Sequence, residues 1–194
     1  MNIDEEQKSR LKEFEKLLLR WQKTVNLVSS SSESEIWNRH ILDSYQLYPY
    51  IESCESVLDL GSGGGFPALV LAILDTNHRI KFYLAERDKR KAAFLLEASR
   101  QFSLNAIVFS EPVEQIKGFE VNAITSRALA EVEKILTLSQ EFINNDTIFY
   151  LLKGKNADLE LEKAKKKYDF IAEKYNSKTS SEGVILKISK VIKL

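Results

Sequence analysis

The sequence predicts an α/β fold: a mostly parallel seven-stranded sheet that ends in an antiparallel hairpin and is preceded by a helical extension. Three observations predict it. Short apolar runs alternate with amphipathic segments between residues 56 and 153, which is typical of parallel strands joined by covering helices. Apolar residues recur at helical spacing before residue 50, and two apolar runs flank a turn-rich stretch after residue 167. We expect a single domain over 1–194, with the helical extension at 1–52 and the α/β core at 53–194.

The extension begins with an amphipathic helix. Its apolar residues are spaced three or four positions apart and share one face; they are Leu11, Phe14, Leu18, Trp21 and Val25. The polar stretch SSSSESE (29–35) interrupts this helix, and Ser34 is a candidate N-cap for a second one. The second helix would carry Ile36, Trp37, Ile41 and Tyr45. We expect both tryptophans to pack in the core.

The core alternates strands and helices. Five apolar runs are predicted to be buried strands: SVLDL (56–60), IKFYLAE (80–86), AIVF (106–109), NAITS (122–126) and TIFYLLK (147–153). Helices are predicted between them at 66–75, 88–103, 112–117 and 129–145. A charged helix near 156–167 follows, and YDFIAEKY and GVILKISKVI then form an antiparallel hairpin around the turn-rich NSKTSSEG. We place this hairpin at the sheet edge.

Composition excludes several classes of protein. One cysteine, Cys54, allows neither an internal disulfide nor a multi-cysteine metal site, and only two histidines are present, so we expect no metal. No apolar run approaches the ~20 residues of a membrane helix. The charged start lacks the apolar segment of a signal peptide. We therefore expect a cytoplasmic protein that does not contact a membrane.

The stretch GSGGG at 61–65 lies between the first strand and the next helix. A glycine-rich loop in that position lets a ligand approach the backbone closely. Asp59 precedes the loop by two residues, and Glu86 ends the second strand, where a carboxylate can accept both ribose hydroxyls of an adenosine.

Three ligands compete for such a loop. A phosphate-binding P-loop needs Gly-Lys-Ser/Thr, and GGGFPALV has neither the lysine nor the hydroxyl. A dinucleotide would place its negatively charged pyrophosphate near the Asp59 carboxylate, which is unfavourable. S-adenosylmethionine carries no phosphate and has a sulfonium and an ammonium that carboxylates favour. This loop therefore favours S-adenosylmethionine, and a nicotinamide dinucleotide or no small ligand remain alternatives.

The residues that are missing restrict the methyl acceptor. An exocyclic amine usually meets an Asn/Asp-Pro-Pro-aromatic motif after the fourth strand, where this chain reads ITSRALAE. Carbon methylation needs a cysteine nucleophile, but Cys54 precedes the first strand. A ring nitrogen with a free lone pair, such as guanine N7, needs only alignment and desolvation. We therefore expect no catalytic side chain.

Several motifs together resemble one family. They are LLLRWQKTVNLVS (17–29), RHILDS (39–44), VLDLGSGGGFP (57–67), SRA (126–128) and FYLLKG (149–154). In this order they resemble the bacterial GidB family, the RsmG-type 16S ribosomal RNA guanine-N7 methyltransferases. The resemblance covers roughly residues 10–155. It implies a Rossmann-like class I methyltransferase fold, S-adenosylmethionine as donor, 16S ribosomal RNA or the small ribosomal subunit as partner, and a monomer.

Site residues follow from the resemblance and from the loop. The implied cofactor contacts, with Gly63 added from the loop itself, are Gly61, Gly63, Phe66, Glu86, Val113, Glu114 and Arg127. The candidate substrate contacts are Arg39, His40, Arg127 and Lys153. Plainer alternatives exist for two of these. Arg39 and Asp43 are spaced i, i+4 and could form a surface ion pair, and Lys153 could pack its buried stem.

Two positions depart from the family pattern. Pro112 stands where an arginine is usual, and Gly183 and Val184 stand where Arg-His is usual, so Lys178 and Lys187 would have to supply a basic RNA contact. Two other functions remain as alternatives. One is a methyltransferase for a small molecule or protein, and the other is a non-catalytic adenosine-binding ribosome-assembly factor.

Overall fold

A computed structural model describes residues 3–194 of the chain. Its seven strands form a single sheet in the order β3-β2-β1-β4-β5-β7-β6. The strands are β1 Ser56–Leu60, β2 Lys81–Ala85, β3 Ala106–Phe109, β4 Ala123–Arg127, β5 Ile148–Lys153, β6 Tyr168–Asn176 and β7 Val184–Lys193. This sheet confirms the predicted fold class and the predicted position of each strand.

The first five strands are parallel, and β7 is antiparallel to both β5 and β6. Because β1 to β5 run the same way, their carboxyl ends meet at one edge of the sheet, where ligands bind in open α/β sheets. Leu60, Ala85, Arg127 and Lys153 end strands at this edge. The hairpin of β6 and β7 lies at the end of the sheet, as predicted.

Seven α-helices accompany the sheet in the described part of the chain. They are α1 Glu5–Gln22, α2 Asp43–Tyr45, α3 Tyr48–Ile51, α4 Ala68–Leu74, α5 Lys89–Gln101, α6 Val132–Leu138 and α7 Ala157–Ala164. Helix α1 starts at a capping box. The Asp4 carboxylate accepts from Gln7 N at 2.7 Å, and Asp4 N donates to Gln7 Oε1 at 3.2 Å. It buries Leu11, Phe14 and Leu18, which confirms the predicted apolar face.

The second predicted helix is irregular. A 3₁₀ helix over Ser30–Glu35 leads into a π-helical segment over Trp37–Leu42 and then into α2. Ser34 lies inside the 3₁₀ helix and caps nothing, so that assignment was wrong. Trp21 and Trp37 are half-buried and pack at the margin of the core.

Two predicted core helices are shorter than expected. The 112–117 helix is a single turn, Val113–Gln115, because Pro112 and Ile116 are extended and Gly118 has a φ of 97°. The 129–145 helix covers only Val132–Leu138, since Glu131 is extended and a polar turn follows. Apolar periodicity had overestimated both lengths.

A hydrophobic cluster lies on each face of the sheet. The N-terminal helices share the first cluster with α4 and α5, and α6 and α7 cover the second. The described part of the N-terminal extension therefore packs directly on one face of the sheet. None of the described helices is long and apolar enough to cross a membrane.

Candidate active site

A cleft of roughly 1160 Å³ opens at the carboxyl edge of the sheet. It is large enough for a nucleotide-sized ligand. Most of the predicted site residues line it: Gly61, Gly63, Phe66, Arg127, Arg39, His40 and Lys153. The structure therefore brings four of the seven predicted cofactor contacts and all four candidate substrate contacts into one cavity.

The glycine loop forms one wall of the cleft and is held by its backbone. Gly61 N and Ser62 N both donate to the Ala85 carbonyl, at 2.9 and 3.1 Å. Gly63 N donates to Glu86 Oε2 at 2.8 Å, and the other oxygen of Glu86 accepts from Asp88 N at 2.8 Å. Glu86 is buried, and in this structure its carboxylate holds the loop by accepting the hydrogen bond from Gly63 N.

Neighbouring glycines serve different ends. Gly63 has a φ of 53°, and a Cβ added there would meet only the Gly61 carbonyl oxygen, at 3.8 Å. A Cβ at Gly64 would lie 2.9 Å from the Leu27 carbonyl oxygen. Gly64 therefore allows the loop to pack on the N-terminal extension, whereas Gly63 keeps open a space that faces the cleft.

Asp59 lies beneath the loop and has one unused oxygen. Thr125 Oγ1 donates to Asp59 Oδ1 at 2.8 Å, while Asp59 Oδ2 is buried without a hydrogen-bond partner. Burial raises the pKa of Asp59 to about 6, against the opposing effects of the Ser62 and Thr125 hydroxyl groups. A buried acceptor left unpaired is costly, and a cationic ligand group nearby would relieve it.

An aromatic and cationic cluster forms the facing wall. The His40 ring stacks on Phe66 with centroids 5.0 Å apart, and the Arg127 guanidinium carbon lies 5.0 Å from the same Phe66 centroid. His40 Nε2 contacts Ser32 Oγ at 2.9 Å. Burial, with help from the charges of Arg127 and Arg39, lowers the pKa of His40 to about 4. The imidazole is therefore neutral near pH 7, and it can offer hydrogen bonds and a ring face but no charge.

Arg127 is held from two sides. Its Nη1 donates to the Arg39 carbonyl at 3.0 Å and lies 3.6 Å from Asp43 Oδ2. Burial lowers the pKa of Arg127, and the Asp43 carboxylate opposes this. The alternative of an Arg39–Asp43 ion pair was wrong, because Asp43 pairs with Arg127. Arg39 instead approaches Glu35 at 3.7 Å, one turn earlier in the chain.

Lys153 is committed to a structural contact. Its Nζ pairs with Glu160 Oε2 at 2.7 Å and donates to the Ala130 carbonyl, and the same Glu160 oxygen accepts from Val132 N at 3.0 Å. This fixes the segment 128–131, which places Leu129 over Gly61. The arrangement favours the packing alternative for Lys153.

Three predicted cofactor contacts, Glu86, Val113 and Glu114, are not among the residues that line the cleft. Val113 packs against the second hydrophobic cluster. Glu114 is 60% exposed and lies 3.7 Å from Lys134 Nζ. Among the described residues, no group of three or more His, Cys, Asp or Glu side chains could hold a metal.

The connection between β6 and β7, residues 177–183, closes the far end of the cleft, and no sequence pattern predicted this. Thr179 Oγ1 donates to Asp43 Oδ1 at 2.7 Å, and Lys178 N donates to Gln46 Oε1 at 3.1 Å. These partners are 136 and 132 residues apart in the chain, so no local pattern predicts them. The RHILDS motif, which contains Asp43, was the one available signal.

Comparison with known proteins agrees with the site. Residues 7–187 match the model of the GidB family, described as rRNA small subunit methyltransferase G. The ribosomal RNA small subunit methyltransferase G of Dinoroseobacter shibae is 40% identical over 189 residues, 96% of this chain and 97% of that protein. The protein of the same name from Acidiphilium cryptum is 40% identical over 184 residues, 93% of this chain and 84% of that protein.

Solved structures agree on the fold. Cofactor-bound Rv0187 from MTB superimposes with a TM-score of 0.65 at 12% identity, over 94% of this chain and 90% of that one. The ribosomal protein L11 methylase of Lactobacillus delbrueckii subsp. bulgaricus gives a TM-score of 0.60 at 14% identity, over 76% of each chain. The sequence match to the family model and to relatives over nearly their full length confirms the resemblance inferred from the motifs. The chain belongs to the GidB family, the rRNA small subunit methyltransferases G, which take their methyl group from S-adenosylmethionine.

Proposed function

We propose that this protein transfers the methyl group of S-adenosylmethionine to N7 of a guanine in 16S ribosomal RNA. One observation carries the proposal. A single cleft joins a backbone-lined glycine loop, next to an unpaired buried carboxylate, to a wall that bears aromatic rings and Arg127 with its counterion Asp43. Donor binding and acceptor alignment are thereby combined without a general base.

The donor fits the first wall. Gly63 leaves the backbone open to a close approach, whereas the bare backbone of Gly61 accommodates Leu129. Asp59 Oδ2, which is buried without a hydrogen-bond partner, is proposed to accept from the ammonium group of the donor. Glu86 could accept from ribose hydroxyls with its remaining lone pairs, in addition to Gly63 N and Asp88 N. When bound, the donor supplies an electrophilic methyl group on its sulfonium.

Adenine contacts through Val113 and Glu114 stay part of the proposal. The family resemblance supports these contacts. Neither residue lines the cleft in this structure. Phe66 lines the cleft and is proposed to contact the donor beside the loop.

The acceptor is proposed to meet the second wall. Guanine N7 has a free lone pair and no proton to lose, so the protein has to align the base and exclude water. Arg127 and Arg39 supply fixed positive charge for phosphate or for the guanine carbonyl. The rings of His40 and Phe66 supply aromatic surface of the kind on which unstacked RNA bases pack. Lys153 contributes by holding segment 128–131 in place.

We also propose a single-domain monomer. The support for one domain is that the N-terminal helices pack in the same hydrophobic cluster as α4 and α5, on one face of the single sheet. The support for a monomer is the family resemblance. A cytoplasmic location follows from the proposed substrate, because bacterial ribosomes assemble there.

Chemical cleavage at 7-methylguanosine tests the proposal. Borohydride and aniline cut RNA at this nucleoside. We expect one cut in the 16S RNA of cells that contain the protein, its loss on deletion of the gene, and its return with the wild-type gene but not with Arg127→Ala. An identical cleavage pattern with and without the protein would overturn the N7 assignment.

A further inference from the structure

The connection between β6 and β7, residues 177–183, docks on the N-terminal extension through side chains. Gln46 Nε2 donates to Ser177 Oγ at 3.2 Å, and Gln46 Oε1 accepts from Lys178 N at 3.1 Å. Thr179 Oγ1 donates to Asp43 Oδ1 at 2.7 Å. Gln46 also donates to that Asp43 oxygen, at 2.8 Å. Asp43 and Gln46 therefore bind each other, and both also bind the connection.

The same network ends at Arg127. One oxygen of Asp43 is occupied by Thr179 and Gln46, and the other faces Arg127 Nη1 at 3.6 Å. Both members of this ion pair are only 18% exposed in their side chains, so the pair is screened less than a surface pair. Because two donors fix the carboxylate, its orientation sets the place of the guanidinium over Phe66.

The hairpin itself does not require these contacts. Ser177 N donates to the Gly183 carbonyl at 2.9 Å and Gly183 N to the Ser180 carbonyl at 3.3 Å, which closes the turn locally. The connection reads SKTSSEG and contains no apolar side chain that could anchor it by burial. Its docking therefore depends on the polar contacts to Asp43 and Gln46. Docked in this way, it forms the end of the cleft.

We propose that Asp43, Gln46 and Thr179 form a latch whose role is to position Arg127 for methyl transfer. None of the three needs to touch the reacting atoms. They act by docking the connection and by fixing the Asp43 carboxylate that holds the guanidinium. This inference deepens the proposed function and rests on it for the part that concerns catalysis. The part of the inference that concerns docking of the connection rests only on the observed contacts and does not depend on the proposed function.

The first test measures docking without any activity. Lys178 is exposed in its side chain, but its backbone N is bound by Gln46, so docking should slow tryptic cleavage after Lys178. In Gln46→Leu we expect this cleavage to be about fivefold or more faster. Lys178→Gln in the same background should abolish the new cut and so identify it. Thr137→Val, which removes a hydroxyl that bonds within α6 and to Tyr168, is the matched control and should cleave at the wild-type rate.

The second test measures coupling to Arg127. Single-turnover transfer from tritiated donor to 16S RNA is followed at saturating donor for wild type, Thr179→Val, Arg127→Ala and the double variant. We expect Thr179→Val to slow transfer about tenfold, Thr179→Ser to restore it, and Thr179→Val to change the rate of Arg127→Ala less than about twofold. If Arg127→Ala gives no measurable transfer, Arg127→Lys takes its place in the cycle.

The outcomes separate the two claims. A wild-type protein that methylates no guanine N7 contradicts the proposed function, and proteolysis still decides whether the connection is docked. Unchanged proteolysis in Gln46→Leu overturns the latch. If Thr179→Val slows methyl transfer by the same factor in the wild type and in Arg127→Ala, the positioning role is overturned. A merely structural loss would lower the transfer rate in both proteins. Slowing confined to the Arg127 background establishes it.

Discussion

The two walls of the cleft are built in different ways. The donor wall is a short backbone loop, and its hydrogen bonds go to the end of the adjacent strand, to Ala85 and Glu86. The facing wall is assembled from side chains that are distant in sequence: Arg127 binds the carbonyl of Arg39, 88 residues away, and Thr179 binds Asp43, 136 residues away. One wall depends on the absence of side chains and the other on their orientation.

This difference implies different responses to substitution. A loop held by its backbone should lose its ligand when a side chain is added, with little change in the rest of the molecule. A wall held by side-chain contacts should lose alignment in graded steps. The predictions below compare the two walls on these terms.

The largest expected effect is on the donor wall, at Gly63. Gly63→Ala places a methyl group where the backbone faces the cleft, and we expect donor affinity to fall by about a thousandfold or more. The positive φ adds strain of only ~1–2 kcal/mol. Calorimetric titration with S-adenosylmethionine and a thermal melt measure the two effects.

Gly64→Ala is the matched control. Its methyl group would press on the Leu27 carbonyl oxygen, so stability should fall by about 1–3 kcal/mol from overpacking, and donor affinity should fall far less. A folded Gly63→Ala protein with unchanged affinity would contradict the placement of the donor.

The next effect concerns Asp59. The folded protein, with the pKa of Asp59 raised to about 6, keeps a proton that the unfolded chain loses near its ordinary value. Stability from this group is therefore full below about pH 4, falls as the pH rises through about 6, and stays low above that. Asp59→Asn keeps an acceptor for Thr125 and removes the charge. We expect it to raise the free energy of unfolding by up to about 3 kcal/mol at about pH 8 and by almost nothing at about pH 4.

Urea denaturation at the two pH values measures this difference. The same variant should weaken donor binding if Asp59 faces the ammonium group. An equal change in stability at both pH values would show that the Asp59 carboxyl is not the group that titrates.

Glu86 should show a tenfold effect. Hydrogen bonds to a charged acceptor contribute roughly 1.5–3 kcal/mol each, and Glu86→Ala removes both the ribose acceptor and the anchor of Gly63 N. We expect donor affinity to drop by at least about tenfold. Glu86→Gln, which retains one acceptor oxygen, should lose less. If Glu86→Ala weakens binding by less than about threefold, the ribose contact lies elsewhere.

The smallest effect is expected in the pH dependence of turnover. The pKa of His40 is lowered to about 4, so this group does not titrate between about pH 6 and 8, and guanine N7 needs no base. At saturating donor, turnover should vary by less than about twofold over that range. His40→Gln should raise KM for RNA more than it lowers kcat, and Cys54→Ser should change neither. An acidic limb that disappears in His40→Gln would reveal a general base.

The donor wall could be predicted from the sequence and the facing wall only in part. The loop at 61–65, Asp59 and Glu86 lie within or directly after neighbouring strands, so local pattern and sheet topology suffice to bring them together. His40 and Arg127 came from the motifs alone. Thr179 meets Asp43, and Lys178 meets Gln46, only because β7 returns beside β5. A polar turn carries no signal of what it will dock against.

Helix lengths were the weakest part of the fold prediction for a related reason. Apolar spacing over 129–145 marks which residues become buried, as Val132, Ile135, Leu136 and Phe142 do. It does not mark where the backbone leaves the helix. The break before Val132 is set by Lys153 and Glu160 from other elements, and such contacts are invisible to a local window.

The place of the hairpin in the sheet also governs when the enzyme becomes complete. During synthesis, the glycine loop and all five parallel strands are added to the chain before residue 177. A chain at that stage already has its donor loop, but Asp43 still lacks Thr179 and Arg127 lacks a fixed counterion. The far wall closes only when β7 has paired with β5. The contacts that complete the far wall are therefore the last to be added to the chain.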